Sequence, residues 1–197
     1  MKPLSTPTPA LKRAYTLIEL LVVISIISLL VAMTNKAITT VIAKAKVTRV
    51  KADLADLTLG LGQYAMERNR LPVPVDFKSE AALPLSTGSK VLAVLLGENP
   101  DQLNPSQSVW IKPKPGSNGA GGMVGDAGSY SYLDPWGEPY HVLLDTDYNQ
   151  RISNPDRRNS DPSISSDCPS ELFGQAQALS AGPDKQLHTK DDVVSWR

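Results

Sequence analysis

The sequence predicts an α+β fold: a long amino-terminal α-helix packed on a small antiparallel β-sheet with long loops. Three observations predict it. One apolar run, Ala14 to Met33, opens the chain, and no proline occurs between Pro9 and Pro72 to stop a helix. Beyond it, Val47, Val50, Leu54, Leu57, Leu61 and Tyr64 recur at gaps of three and four, which makes one stripe on a helix. The 13 glycines and 16 prolines of the 197 residues crowd the second half, where short β-type segments alternate with turns.

Composition narrows the function. Twenty basic and twenty acidic residues cancel, so no basic face argues for nucleic acid and no acidic tail argues for disorder. Cys168 is the single cysteine, which excludes a disulfide within the chain and leaves a metal as one other means of holding the fold. Without the first 35 residues, about 160 remain, enough for one domain with a real core.

The chain divides in order. Residues 1–14, with Pro3, Pro7 and Pro9, read as an extended leader. Residues 15–35 reach the roughly 20 apolar residues of a membrane-spanning helix if Tyr15 to Ile18 are counted and Glu19 is tolerated. No charge occurs from Leu20 to Asn35. A cleaved secretory signal would end in a small-x-small site followed by a turn, whereas here the run passes into Thr34-Asn35-Lys36-Ala37-Ile38 with no helix breaker. A plain anchor gives no reason for Glu19, since a carboxylate in hydrocarbon costs roughly 2.5–3.5 kcal/mol on insertion scales. Lys2, Lys12 and Arg13 before the span keep the amino terminus cytoplasmic, although Lys36, Lys44, Lys46, Arg49 and Lys51 after it weaken that bias.

Lys12-Arg13-Ala14-Tyr15-Thr16-Leu17-Ile18-Glu19-Leu20-Leu21-Val22-Val23-Ile24 resembles the class III signal of type IV pilins and type II secretion pseudopilins. The resemblance implies that a prepilin peptidase cuts between Ala14 and Tyr15 and methylates the new amine of Tyr15. It makes Glu19 the assembly acid of the family. Ala14 stands where glycine is usual, and Tyr15 where phenylalanine is. A neighbouring subunit's amine would then pair the buried charge and set register. The competing reading is an acid favoured by the macrodipole at a helix amino terminus.

The helix is expected from about Thr16 to about Asn69, on the order of 80 Å. Its stripe packs on the globular domain or, alternatively, forms a coiled-coil seam. Gly60 and Gly62 cost roughly 1 kcal/mol each against alanine and suggest a close approach or a bend. Residues 71–83 read as a loop, 90–96 as a short helix ending at Gly97, 99–110 as irregular and 112–128 as a flexible loop without a phosphate-cradle motif. Tyr130 to Leu133 and Tyr140 to Leu144 read as strands, joined by the turn chemistry of Asp134-Pro135-Trp136-Gly137. That turn, with Pro139 and Tyr140, also resembles the sheet turn of the major pseudopilin of type II secretion.

Two loops have the oxygen donors of calcium sites. Asp145, Asp147 and Asn149 alternate as in calcium loops, but Gln150 and Asp156 stand at the sixth and twelfth positions, and a solvated loop competes. After a last strand from Gln175 to Ser180, the segment Ser180 to Trp196 resembles the calcium-holding C-terminal loop of pseudopilins, with Lys185 where glycine is common. The resemblance implies calcium held by Asp184, Asp191 and Asp192; a salt-bridged turn is the alternative.

The sequence is therefore read as a structural, non-enzymatic subunit of a type II secretion pseudopilus. Its partners would be copies of itself, other pseudopilins, the prepilin peptidase and the inner-membrane assembly platform. Residues 1–14 form the leader, 15–35 the transmembrane and filament-core helix, and 36–197 the periplasmic domain of this inner-membrane protein. A minor pilin of a type IV pilus or of DNA uptake is the alternative. A membrane-anchored periplasmic enzyme is remoter, since no nucleophile elbow or zinc-ligand spacing is present and His141 and His188 have no metal partner near in sequence.

Overall fold

The computed structural model describes residues 15–117 and 119–197, without the side chains of 33–37. The leader and Ala14 lie outside the described residues. Helix α1 runs Leu17–Arg68. The chain divides into two compact units, one ending at Lys44 and one beginning at Ala45. The boundary expected after residue 35 follows hydropathy, whereas compact packing begins later, at Ala45.

In the first unit every described side chain from Tyr15 to Ala32 and from Ile38 to Lys44 is exposed. A helix apolar all round calls for lipid or other helices. Its two serines are already satisfied: Ser25 donates to the Leu21 carbonyl at 2.8 Å and Ser28 to that of Ile24 at 2.7 Å. Such back-bonding is what a hydroxyl needs where water is absent. Among the described residues, no helix is long and apolar enough to cross a membrane; the apolar run ends at Met33, and the side chains of positions 33–37 are not described.

The second unit is built on the predicted stripe. Val50, Leu54, Leu57 and Leu61 are fully buried and join Val91, Leu92, Leu95, Tyr140, Val142 and Leu144 in one core. Tyr64 is also fully buried, meets Trp110 edge-on at 4.8 Å, and donates its hydroxyl to the Leu103 carbonyl at 2.9 Å. The stripe is thus spent on the domain and not on a coiled-coil seam.

The main sheet has the order β1-β4-β7-β8, all antiparallel, with β1 at Leu83–Pro84, β4 at His141–Leu144, β7 at Ala176–Ser180 and β8 at Val193–Val194. Strand alternation divides its residues between two cores. Val142, Leu144, Ala178 and Val193 join the cluster on α1, while Leu143, Leu179 and Val194 pack with Ile152 on the other side.

Several segments differ from expectation. Residues 71–83 end in the edge strand β1, where Pro84 is tolerated because its missing N–H faces no partner. Helix α2, Lys90–Leu95, is capped by Ser89 as its composition suggests, and a 3-10 turn at Pro100–Gln102 lies in the stretch read as irregular. The supposed flexible loop 112–128 contains β2, Gly122–Val124, paired with β3, Ser131–Leu133. A Cβ on Gly122 would lie 2.4 Å from the Lys114 carbonyl oxygen, so this glycine permits a close backbone approach. The polar stretch after Asp145 holds β5, Arg151–Ser153, a 3-10 turn at Pro155–Arg158 and helix α3, Pro162–Ser165; β5 then pairs with β6, Glu171–Phe173. The strand at Ala176–Ser180 is not the last, because β8 follows inside the acidic loop.

Candidate assembly segment and carboxylate sites

At the head of α1, Thr16 and Glu19 form a capping box. The Thr16 N–H donates to Glu19 Oε2 at 2.8 Å and its hydroxyl to the same oxygen at 3.0 Å, while the Glu19 N–H donates to Thr16 Oγ1 at 3.3 Å. These bonds satisfy amides that a helix start leaves without partners. Of the two readings of Glu19, the helix-terminal one holds within a single chain. The Thr-x-x-Glu spacing was the signal that could have announced it. Glu19 Oε1 remains outside these bonds. Tyr15, at the end of the described chain, is exposed.

The Asp134 turn closes as expected, with the Gly137 N–H donating to the Asp134 carbonyl at 3.0 Å and Gly137 at φ 92°. Lys46 of α1 donates to the Pro135 carbonyl at 3.3 Å and lies 5.9 Å from the centroid of the Trp136 ring. Asp134 is fully buried. Its Oδ1 accepts the N–H groups of Trp136 at 2.9 Å and Glu138 at 3.0 Å, and its Oδ2 accepts the Ser180 hydroxyl at 2.6 Å. In the sequence Asp134 shows only its turn propensity.

In the C-terminal loop, Asp191 Oδ2 accepts the Asp184 N–H at 2.9 Å, and Asp191 Oδ1 the Thr189 hydroxyl at 2.8 Å. Asp192 Oδ2 accepts the N–H groups of His188 at 2.8 Å and Thr189 at 3.2 Å. Asp184 Oδ1 takes the Gln186 N–H at 2.8 Å. Burial, with the charges of Asp191 and Asp184 adding to it, pushes the Asp192 carboxyl up to about 6 despite its two N–H bonds. For Asp191, burial acts upward, but the Asp184 N–H and the Thr189 hydroxyl outweigh it and the net shift is downward. Among the described residues, no lysine or arginine forms an ion pair with any of the three. The salt-bridged turn is therefore not what the loop forms.

Among the described residues, the acids whose ligand atoms converge as a trio are Glu80, Asp145 and Asp147, all within 4.8 Å of one another. Asp145 is buried and accepts the N–H groups of Asn149 at 3.1 Å and Gln150 at 2.7 Å. Burial first, then its hydrogen bond with Asp147, raises its pKa. Asn149 does not join the trio as an oxygen donor. Its amide oxygen accepts the Arg151 N–H at 2.7 Å, which turns its NH₂ group toward Asp147 Oδ2 at 2.6 Å. Glu80, more than sixty residues away in sequence, meets Asp145 and Asp147 there.

His141 stands on β4 with Nδ1 buried and without a hydrogen-bond partner, and burial lowers its pKa below the ordinary 6.5. Cys168 is a free thiol, partly exposed, with Sγ 3.5 Å from the Ser165 carbonyl.

Residues 10–35 match the family described as the prokaryotic N-terminal methylation motif. No curated protein and no solved structure matches the chain. The motif is a class III signal, and the long helix followed by small antiparallel sheets is consistent with a pilin-like fold. The match covers the amino-terminal segment alone and supports a pilin- or pseudopilin-type role for it. The motif implies processing by a prepilin peptidase and assembly into pilin-type polymers.

Proposed function

We propose that this chain is a structural subunit of a type II secretion pseudopilus. The observation that carries the reading is the methylation motif at the head of a helix whose described apolar side chains, from Tyr15 to Val31, are exposed. Residues 15–35 anchor the precursor in the inner membrane with its amino terminus cytoplasmic and the domain periplasmic. Cleavage after Ala14 exposes the amine of Tyr15, and Glu19 of an adjacent copy receives that amine through Oε1. The pair neutralises a charge that hydrocarbon penalises, and the gain is defined axial register. Stacked helices then form a filament core that pushes cargo outward.

The secretion branch is favoured over a type IV pilus or DNA-uptake pilin by the Asp-Pro-Trp-Gly turn, the acidic C-terminal loop and the single cysteine. Mass spectrometry of the mature protein tests the assignment: an amino terminus at N-methylated Tyr15 is expected, and any other start removes it. Deletion and complementation then separate the branches. Loss of exported proteins with pili and DNA uptake intact supports secretion, and the reverse pattern replaces it.

Calcium is part of this proposal. The C-terminal loop offers a hard cation oxygen donors, and among the described residues its three carboxylates lie without an ion-pairing cation. Asp184, Asp191 and Asp192 would hold the ion, which would screen their mutual repulsion. Glu80 with Asp145 and Asp147 is the second place for it. Calcium at a hundred times its Kd would stabilise the fold by about 2.7 kcal/mol. Melting with calcium and with chelator checks this. A shift lost on Asp184→Ala assigns the C-terminal loop, one lost on Glu80→Gln assigns the second place, and no shift rejects both.

A further inference from the structure

The Asp134 turn and the C-terminal loop are joined by a buried relay. Ser180 donates to Asp134 Oδ2 at 2.6 Å, and Ser180 Oγ accepts the Gly182 N–H at 3.2 Å. Gly182, at φ 70°, reverses the chain so closely that a Cβ there would lie 2.3 Å from the Asp191 carbonyl oxygen. Asp191 in turn takes the Asp184 N–H. Thus a line of contacts runs from Asp134 through Ser180 and Gly182 to the two acids that face each other across the loop.

A carboxylate with no exposed surface and no cation beside it is a costly element. Two backbone N–H groups and one hydroxyl offset that cost. A β-turn alone requires neither burial of its first residue nor a contact 46 residues further along. The other link between turn and loop is Lys185 Nζ with Glu138 Oε1 at 3.3 Å. It is solvent-facing and therefore weak. The short bond to the buried carboxylate is charge-assisted and is the stronger of the two.

We propose that Asp134 is the positioning residue of the C-terminal loop: through Ser180 it fixes the place from which Asp184, Asp191 and Asp192 present their oxygens. Its consequence for a ligand rests on the calcium reading above; its consequence for loop order does not.

Ser180→Ala in the full-length protein in detergent removes the relay and leaves the turn's own hydrogen bonds in place. Hydrogen exchange of residues 182–192 should rise about tenfold while residues 50–65 of α1 keep wild-type protection. Calcium affinity by titration calorimetry should fall about tenfold. Asp134→Asn, with Ser180 intact, keeps an oxygen for the Trp136 and Glu138 N–H groups and offers Ser180 an N–H donor, so it should retain most of the loop protection. Wild-type exchange of residues 182–192 in Ser180→Ala overturns the proposal, as does an equal rise in α1, which would mark general destabilisation. If wild-type protein binds no calcium, the calcium reading fails and exchange alone decides the positioning role. If Ser180→Ala binds calcium as tightly as wild type, the positioning role fails and the calcium reading stands.

Discussion

Asp156 is nearly inaccessible, yet it receives the Trp196 indole N–H at 2.8 Å and lies 3.2 Å from Arg197 Nε. Removing it leaves the indole N–H and the guanidinium without their shared acceptor. Asp156→Ala should cost about 1.5–3 kcal/mol, the range for hydrogen bonds to a charged group. That lowers Tm by about 3–12 °C in a domain of this size. Arg197→Ala should cost less, because the guanidinium is partly in water. Thermal melting checks both, and equal small losses would show that Asp156 is better solvated than its burial implies. His141 gives a pH dependence of definite sign. Burial lowers its folded pKa, with Asp134 and Glu138 acting the other way. The unfolded chain therefore takes up protons more readily near and below 6.5, and folding stability falls as pH drops through that value. Denaturant titrations from pH 7.5 to 5 should show wild type losing stability faster than His141→Gln. Parallel slopes would remove the effect. Neither environment was readable in the sequence, because the partners of Asp156 lie some forty residues away and the burial of His141 depends on the sheet.

On α1, two glycines two residues apart should respond to alanine with opposite signs. A Cβ on Gly60 would lie 2.5 Å from Ile111 Cγ2 and 3.3 Å from the Trp110 carbonyl oxygen, whereas one on Gly62 meets nothing within 4 Å. Gly62→Ala should stabilise by roughly 0.5–1 kcal/mol through helix propensity. Gly60→Ala should destabilise by about 1–3 kcal/mol, since overpacking outweighs the same gain. Melting curves of the two variants decide it, and a shift of the same sign in both would show that 110–111 gives way. The sequence reading anticipated a close approach near these glycines without choosing between them. Periodicity alone exposed the stripe from Val50 to Tyr64, because a helix repeats every 3.6 residues whatever packs on it. It did not expose β2 or β8. Three-residue and two-residue strands have too few positions for alternation to emerge, and Gly122 imitates a flexible loop while serving a tight backbone contact.

The whole molecule separates assembly from folding. Among the described residues the buried core begins at Val50. Glu19→Ala should therefore abolish polymer formation while leaving the domain's melting transition unchanged. Filament yield by electron microscopy beside calorimetry of the same preparation checks this. Filaments at wild-type yield would show that Glu19 serves only as the cap of its own helix.

The amino-terminal segment was legible in the sequence because its chemistry is local: a basic pair, an acid and an apolar run follow one another within about twenty residues. The helical stripe and the Asp134 turn were legible for the same reason. Which acids meet was decided only by the tertiary structure. The β-register and the return of the chain after β7 bring Glu80 to Asp145 and Ser180 to Asp134. Carboxylates far apart in sequence become neighbours only when burial of the core has already fixed the strands that carry them.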